Sequence, residues 1–169
     1  CNRGFVRIER IDWVTSYQIL EKIMEYEAVH HMSDLNDLQN RVAAADRRLY
    51  AFFHPALPNE PLIFIEVALM DDSPNSIMPI LDTSIKPINP LSSSTAVFYS
   101  ISNCQMGLKN VSFGSFLIKQ VVAEIEQEFK QINEFVTLSP VPGFKNWAQK
   151  ALVADSKKVP DNIFEDIQE

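Results

Sequence analysis

The sequence predicts an α/β fold (equally an α+β fold) in which helices cover both faces of one mixed sheet. Apolar residues recur with a period of two in some segments and with a helical period in others, and the segments follow in the order β, α, α, β, β, β, α, β, α. The chain has 169 residues, 46% of them hydrophobic, which is enough for a single domain with its own core.

The first half of the chain supplies three strands and two helices. Residues 4–11 alternate apolar and charged side chains, as a strand with one solvated face does. Two amphipathic helices follow, the second of them capped by residues 33–34. Residues 47–54 and 62–69 read as strands separated by a short Pro-containing turn, so they are expected to pair as a hairpin. The second of these is apolar almost throughout, which favours a central position in the sheet.

Residues 71–94 differ in composition from their neighbours on both sides. They contain four of the ten prolines and many serines, without a sustained period. This composition favours a Pro/Ser-rich surface loop, and a short helical turn around 76–81 is compatible with it. The polar residues 155–169 read as a C-terminal tail, so the domain is expected to span 1–154.

The stretch from Thr95 to Phe144 reads as strand, loop, helix, strand and turn. Residues 95–102 are β-branched and aromatic, residues 103–110 are polar and include Gly107, and helical spacing begins near Gly114. A helix that starts there directs unpaired N–H groups and the positive end of its dipole at the preceding loop. Such a loop can hold a phosphate or pyrophosphate. The alternative is an ordinary strand-to-helix turn that contains a glycine.

Charge and cysteine content exclude several classes of function. The net charge of −7 argues against a nucleic-acid surface, which needs a concentrated basic patch. Cys1 and Cys104 have neither metal-ligand spacing nor the pattern of a disulfide framework, so no metal site is expected. No apolar run is long enough to cross a bilayer and no signal-peptide pattern occurs, so no membrane partner is expected and cytosol or an organelle matrix is the expected compartment.

Long motifs distributed along the chain resemble known families. The element order, with an anion-ready loop before the third long helix, resembles the acyl-CoA-binding fold of GCN5-related N-acetyltransferases (GNAT). Longer motifs occur at residues 1–5, 27–30, 52–69, 98–102, 114–119 and 138–144 and are distributed over nearly the whole chain. By these motifs the chain more closely resembles the malonyl-CoA decarboxylase family.

The resemblance implies conversion of malonyl-CoA to acetyl-CoA and CO2 without a metal or organic cofactor, coenzyme A being part of the substrate. It implies that Ser139 is the catalytic serine and that residues 105–115 form the loop that binds the CoA pyrophosphate. The substrate-binding residues that it implies, including those of the thioester strand, are Ser100, Ser102, Gln105, Gly107, Lys109, Val111, Ser112, Phe113, Gly114 and Ser115. Ser112 stands where some relatives have a glutamate near the active site.

The resemblance also implies parts that these 169 residues do not contain. The family's catalytic histidine lies in a downstream segment, its N-terminal helical region is missing, and the last two strands of a GNAT-like sheet are missing. A C-terminal segment or a partner chain is therefore expected to complete the site, and an exposed sheet edge is compatible with a homo-oligomer. Two other functions stay open, an acyl-CoA-dependent N-acyltransferase and a non-catalytic acyl-CoA-binding module.

Several residues whose side chains could take part in catalysis or binding are considered for structural roles. The histidines expected in structural or surface roles, rather than as proton donors, are His30, His31 and His54. Glu66 lies in an apolar strand, so it either points to an edge or is a buried acid with a partner. Phe144 and Trp147 are assigned to the core rather than to a wall of the ligand site.

Overall fold

The computed structural model describes residues 5–108 and 114–154, which form two compact units divided after Ser139. In chain order the elements are β1 (Arg7–Ile11), α1 (Tyr17–Tyr26), α2 (Leu35–Val42), β2 (Arg47–Phe53), β3 (Ile63–Met70), α3 (Met78–Leu81), β4 (Thr95–Asn103), α4 (Gly114–Glu128), β5 (Glu134–Thr137) and α5 (Phe144–Ala154). A single 3-10 turn, Met106–Leu108, follows β4. The predicted order of strands and long helices is confirmed, and the short α3 lies within the predicted 76–81.

The five strands form one mixed sheet in the order β1-β2-β3-β4-β5. Neighbours from β1 to β4 are antiparallel, and β2 and β3 make the expected hairpin. β5 lies parallel to β4, and α4 is the crossover between them. In such a crossover the carboxyl ends of both strands meet at the sheet edge where the connecting helix begins.

One face of the sheet is covered by α4. Its apolar side chains recur three or four residues apart, which aligns them on one side of the helix. They are buried together with alternate residues of β3, in a cluster that includes Leu117, Val121, Ile125, Ile63, Ile65, Val67 and Leu69. Because alternate residues of a strand share a face, the remaining residues of β3 point to the opposite side.

The opposite face is covered by α1 and α2. The buried cluster there includes Leu20, Ile23, Leu38, Val42, Leu49, Ala51, Phe53 and Phe64. The Asp34 carboxylate caps α2 by accepting the backbone N–H groups of Asn36 (2.8 Å) and Asp37 (3.0 Å), as the sequence predicted. With α4 on one face and α1 and α2 on the other, the predicted arrangement of helices on both sides of the sheet is confirmed.

The Pro/Ser-rich connection between β3 and β4 is tied to the start of β2. The Arg47 guanidinium donates to the carbonyl of Ile80 (3.0 Å). Ile80 belongs to α3, and its side chain is buried. The Asp46 carboxylate accepts the backbone N–H of Ile88 (3.0 Å). Two buried charged side chains therefore anchor a segment that has little regular structure of its own.

The second unit contains α5. Its first residue follows Gly143, whose φ of 80° is a left-handed conformation that favours glycine. The aromatic rings of Phe144 and Trp147 lie 5.8 Å apart, and the two residues are 52% and 65% exposed. Their assignment to the core was wrong, because the helical spacing of apolar residues identifies a shared face but not whether that face is covered.

Candidate active site

β4 and β5 part from each other before β4 ends. Their pairing covers the four residues of β5, and the last bond runs from the N–H of Leu138 to the carbonyl of Phe98 (2.9 Å). β4 continues beyond this point to Asn103. A gap between the two strands therefore opens at the sheet edge where α4 begins.

β4 contains one extra residue at the place where the gap opens. Val67 of β3 lies opposite Phe98, whereas Glu66 lies opposite Ser100, so Tyr99 has no partner position of its own. This is a β-bulge, which changes the direction of the backbone groups that follow it.

The bulge leaves a row of backbone groups facing the gap. The Cys104 N–H donates to the carbonyl of Leu62 on the β3 side (3.0 Å). Because such bonds recur at every second residue, Ser102 also bonds towards β3, and the N–H and C=O groups of Ile101 and Asn103 point the other way. β5 does not pair with this part of β4, so we call Ile101 and Asn103 the open edge.

The serines predicted to bind substrate use their hydroxyls for another contact. Ser100 and Ser102 are 2% and 1% exposed. Their Oγ atoms donate to the carboxylate of Glu27, at 2.9 Å from Ser100 and 3.1 Å from Ser102. We call these three residues the Glu27 cluster. The sequence did not single out Glu27, because an acid at the end of a surface helix is ordinary.

Glu66 is a buried acid with a partner, one of the two outcomes considered from the sequence. Its Oε2 lies 3.0 Å from Nη1 of Arg41, and the two side chains are 0% and 6% exposed. Burial raises the pKa of Glu66 to about 8, while the Arg41 guanidinium acts in the opposite direction and the nearby Glu27 adds to the rise. Burial, which is the larger cause, and the charge of Glu66 also raise the pKa of Tyr99.

The thiol and the histidines of the described chain are poor candidates for the reacting groups. Burial raises the pKa of the Cys104 thiol to about 12, so it stays protonated and weakly nucleophilic at neutral pH. Burial, reinforced by the charge of Arg41, lowers the pKa of His30, so its imidazole is neutral. The Nδ1 atom of His54 accepts the N–H of Ala56 (3.1 Å), a local turn contact, and His31 is exposed.

The structure describes only some of the other residues that the resemblance implied. Ser139 is exposed and lies two residues after β5, at the same sheet edge as the open edge of β4. The Gln105 amide donates to the carbonyl of Pro61 (3.3 Å), Gly107 is exposed, and Ser115 is exposed in the first turn of α4. Of Gly114 only the backbone is described, as the first residue of α4. The predicted residues that lie outside the described chain are Lys109, Val111, Ser112 and Phe113.

The described residues contain neither a cluster of metal ligands nor a helix that could span a membrane. Within 5–108 and 114–154, no three His, Cys, Asp or Glu side chains come together in a group that could hold a metal ion. In the same part of the chain no helix is long and apolar enough to cross a membrane.

Comparison with known proteins identifies the family. The family model of the malonyl-CoA decarboxylase C-terminal domain matches residues 4–166. The chain belongs to this family. A mitochondrial malonyl-CoA decarboxylase of Anser anser anser is 41% identical over 161 residues, and one of Mus musculus is 41% identical over 159 residues. The alignments cover 94% and 92% of this chain, which spans 32% of the length of each relative.

Solved structures of malonyl-CoA decarboxylases have the same fold as this family member. The enzyme of Agrobacterium vitis superposes with a TM-score of 0.86 at 49% identity, and that of Rhodopseudomonas palustris with 0.82 at 54% identity. Each match covers 95% of this chain, and 40% and 38% of those chains. An aminoglycoside 6'-N-acetyltransferase of Acinetobacter baumannii superposes with a TM-score of 0.53 at 13% identity over 88% of both chains, a likeness of fold alone. The predicted GNAT-like sheet is thereby confirmed.

Proposed function

We propose that this chain forms the CoA-binding half of a malonyl-CoA decarboxylase, in which malonyl-CoA is converted to acetyl-CoA and CO2. The observation that carries the proposal is the gap between β4 and β5, which lies at the carboxyl ends of two parallel strands. Membership of the malonyl-CoA decarboxylase family supports this choice of chemistry. In this proposal coenzyme A enters only as part of the substrate.

The chemistry sets two requirements for the site. Loss of CO2 from a malonyl thioester leaves negative charge on the thioester oxygen of an enolate, so hydrogen-bond donors are needed where that charge develops. An acid must then protonate the carbon that carried the carboxylate. The N–H groups of Ile101 and Asn103 meet the first requirement, since they face the gap and no strand of the described chain pairs with them there.

The positions of the phosphates and of the malonyl carboxylate follow from the directions of β4, β5 and α4. With the thioester on the open edge of β4, the phosphates of CoA reach the loop 105–115 and the first turn of α4, where unpaired N–H groups and the helix dipole attract anions. The malonyl carboxylate then faces Ser139, whose exposed hydroxyl hydrogen-bonds it before it departs. The proton donor in this proposal is a histidine from outside these 169 residues, as the family resemblance implies.

A pair of matched serine variants tests the catalytic part of the proposal. Acetyl-CoA formation from malonyl-CoA is measured for the full-length wild-type protein, for Ser139→Ala and for Ser73→Ala. Ser73 is exposed and precedes a proline, as Ser139 does. We expect Ser139→Ala to lower kcat by about 100-fold or more and Ser73→Ala to leave it unchanged. Near-normal turnover by Ser139→Ala removes this serine from the mechanism.

A second pair tests the role of the open edge. Asn103→Pro removes a backbone N–H that faces the gap, whereas Asn103→Ala keeps it and changes only an exposed side chain. Calorimetric titration with acetyl-CoA is expected to show weaker binding for the proline variant alone. Equal affinities for the two variants contradict the proposed thioester position. Incubation of acetyl-CoA with a panel of amines separates this proposal from an N-acyltransferase, for which acyl transfer is the expected product.

A further inference from the structure

The Glu27 cluster begins with a carboxylate that shapes its own segment of chain. Glu27 follows the last residue of α1, and its backbone N–H donates to the carbonyl of Ile23 (3.1 Å). One carboxylate oxygen accepts the backbone N–H groups of Val29 (2.8 Å) and His30 (2.7 Å). The chain therefore turns at the end of α1 around the Glu27 side chain, which is itself in the protein interior.

The same carboxylate joins this turn to β4. It accepts both serine hydroxyls of the cluster, and the Ser102 hydroxyl in turn accepts the N–H of Ala28 (3.3 Å). Ser100 and Ser102 are two residues apart, so they point to the same face of the strand. A carboxylate this deeply buried is stable only when its oxygens are hydrogen-bonded, and here four donors share them. The turn and the strand are consequently held as one unit.

The contact between Glu27 and the two serines lies at a distinctive position on β4. It lies beyond the bulge at Tyr99, on the part of the strand that β5 does not support. There β4 is bonded to β3 along one edge and held by Glu27 on one face, and no strand among the described residues pairs with its other edge. The turn also brings the His30 ring to 6.3 Å from the ring of Tyr99, beside the start of the gap.

We propose that Glu27 is a positioning residue for the thioester site: through Ser100 and Ser102 it fixes the open edge of β4, so that the N–H groups of Ile101 and Asn103 stay aimed into the gap. This inference rests on the proposed decarboxylase function. Glu27 itself does not contact the substrate in this arrangement. Its effect on turnover arises because a displacement of about 1 Å in a substrate-binding group can lower a rate by about 100-fold.

The variants that test this inference are made in the full-length protein. Glu27→Gln keeps the size of the side chain but replaces one carboxylate oxygen by an NH2 group, which cannot accept hydrogen bonds from the surrounding N–H and O–H groups. The combined variant Ser100→Ala/Ser102→Ala removes the other half of the contact, and Ser102→Ala alone is a milder version of it. Glu25→Gln, an exposed acid on α1, is the matched control.

We expect Glu27→Gln to lower kcat at least tenfold while KM for malonyl-CoA changes by less than threefold. The serine double variant should give a similar loss, and adding Glu27→Gln to it should cause no further loss, because the three side chains act as a unit. Circular dichroism determines the folded fraction, and kcat is calculated per folded molecule. Glu27→Gln with kcat within twofold of wild type, or losses that multiply in the triple variant, overturn the inference.

Amide hydrogen exchange provides a readout that is independent of activity. Peptides that span 99–104 should exchange faster in Glu27→Gln than in wild type and Glu25→Gln, whereas those from β2 should not change. Unchanged exchange in 99–104 overturns the inference. A wild-type protein that leaves malonyl-CoA intact refutes the proposed function instead, so the two failures are distinguishable.

Discussion

The buried pair of Arg41 and Glu66 predicts two substitutions whose effects on stability do not add. At pH 9, above the pKa of about 8 for Glu66, both side chains are charged. Their nearest charged atoms are 3.0 Å apart with almost no solvent access. With an effective dielectric constant of about 20, unit charges at this distance interact by roughly 5 kcal/mol. Because each single change leaves one buried charge uncompensated, we expect Arg41→Met or Glu66→Gln to lower the free energy of unfolding by about 3–5 kcal/mol.

The double variant Arg41→Met/Glu66→Gln carries neither charge. Its loss should therefore be smaller than the sum of the two single losses by about 2 kcal/mol or more. Urea unfolding followed by circular dichroism at pH 9 measures all four proteins, and Arg7→Met, at an arginine whose side chain is 65% exposed, serves as the control. At pH 6 Glu66 is protonated in the folded state, so the coupling should shrink. Single losses that add, or a coupling that does not depend on pH, refute this reasoning.

Three further measurements follow from individual contacts. The pKa of Glu66 is raised from 4.5 to about 8, so the folded state binds the proton more tightly than the unfolded state. The wild-type free energy of unfolding should therefore fall as pH rises from 4.5 to 8. Calorimetry should show a flatter pH dependence for Glu66→Gln. Ile125→Ala opens a cavity beneath α4 and should cost about 2–5 kcal/mol in urea unfolding, whereas the exposed Glu126→Ala should cost less than about 0.5 kcal/mol. Two backbone N–H groups lower the pKa of Asp34, so Asp34→Ala should lower Tm at pH 7, and the difference should vanish as pH falls through the pKa of that carboxyl.

Much of the fold was predictable because its elements have local signals. Alternation and β-branched residues identified the hairpin of β2 and β3, and the helical period identified α4. The end of β5 was less predictable. The β-branched and aromatic pattern by itself predicts a strand over residues 135–139, whereas β5 spans Glu134–Thr137, because its end depends on where bonding to β4 stops.

The candidate site was predictable only in part, because its geometry depends on contacts between distant segments. Glu66 was recognisable as unusual, since an acid within an apolar strand requires a partner, but nothing in the sequence identified Arg41 as that partner. The Glu27 cluster joins residues 73 and 75 positions apart, and no local pattern predicts such a contact. Ser139 was singled out by a motif resemblance, not by physical reasoning from its neighbours.

The unpaired position of Tyr99 determines the register in which the rest of β4 pairs with β3. If Tyr99 instead paired opposite Glu66 in a regular ladder, Ser100 and Ser102 would be the residues whose backbones turn towards β5, and their hydroxyls would lie on the α4 side of the sheet. A one-residue shift of register would thus disconnect Glu27 and replace Ile101 and Asn103 at the gap in a single step. Deletion of Tyr99, by contrast, would leave Ser100 opposite Glu66 and keep the same residues at the gap. The decarboxylase chemistry proposed for this fold therefore depends on the register in which this half of β4 pairs with β3.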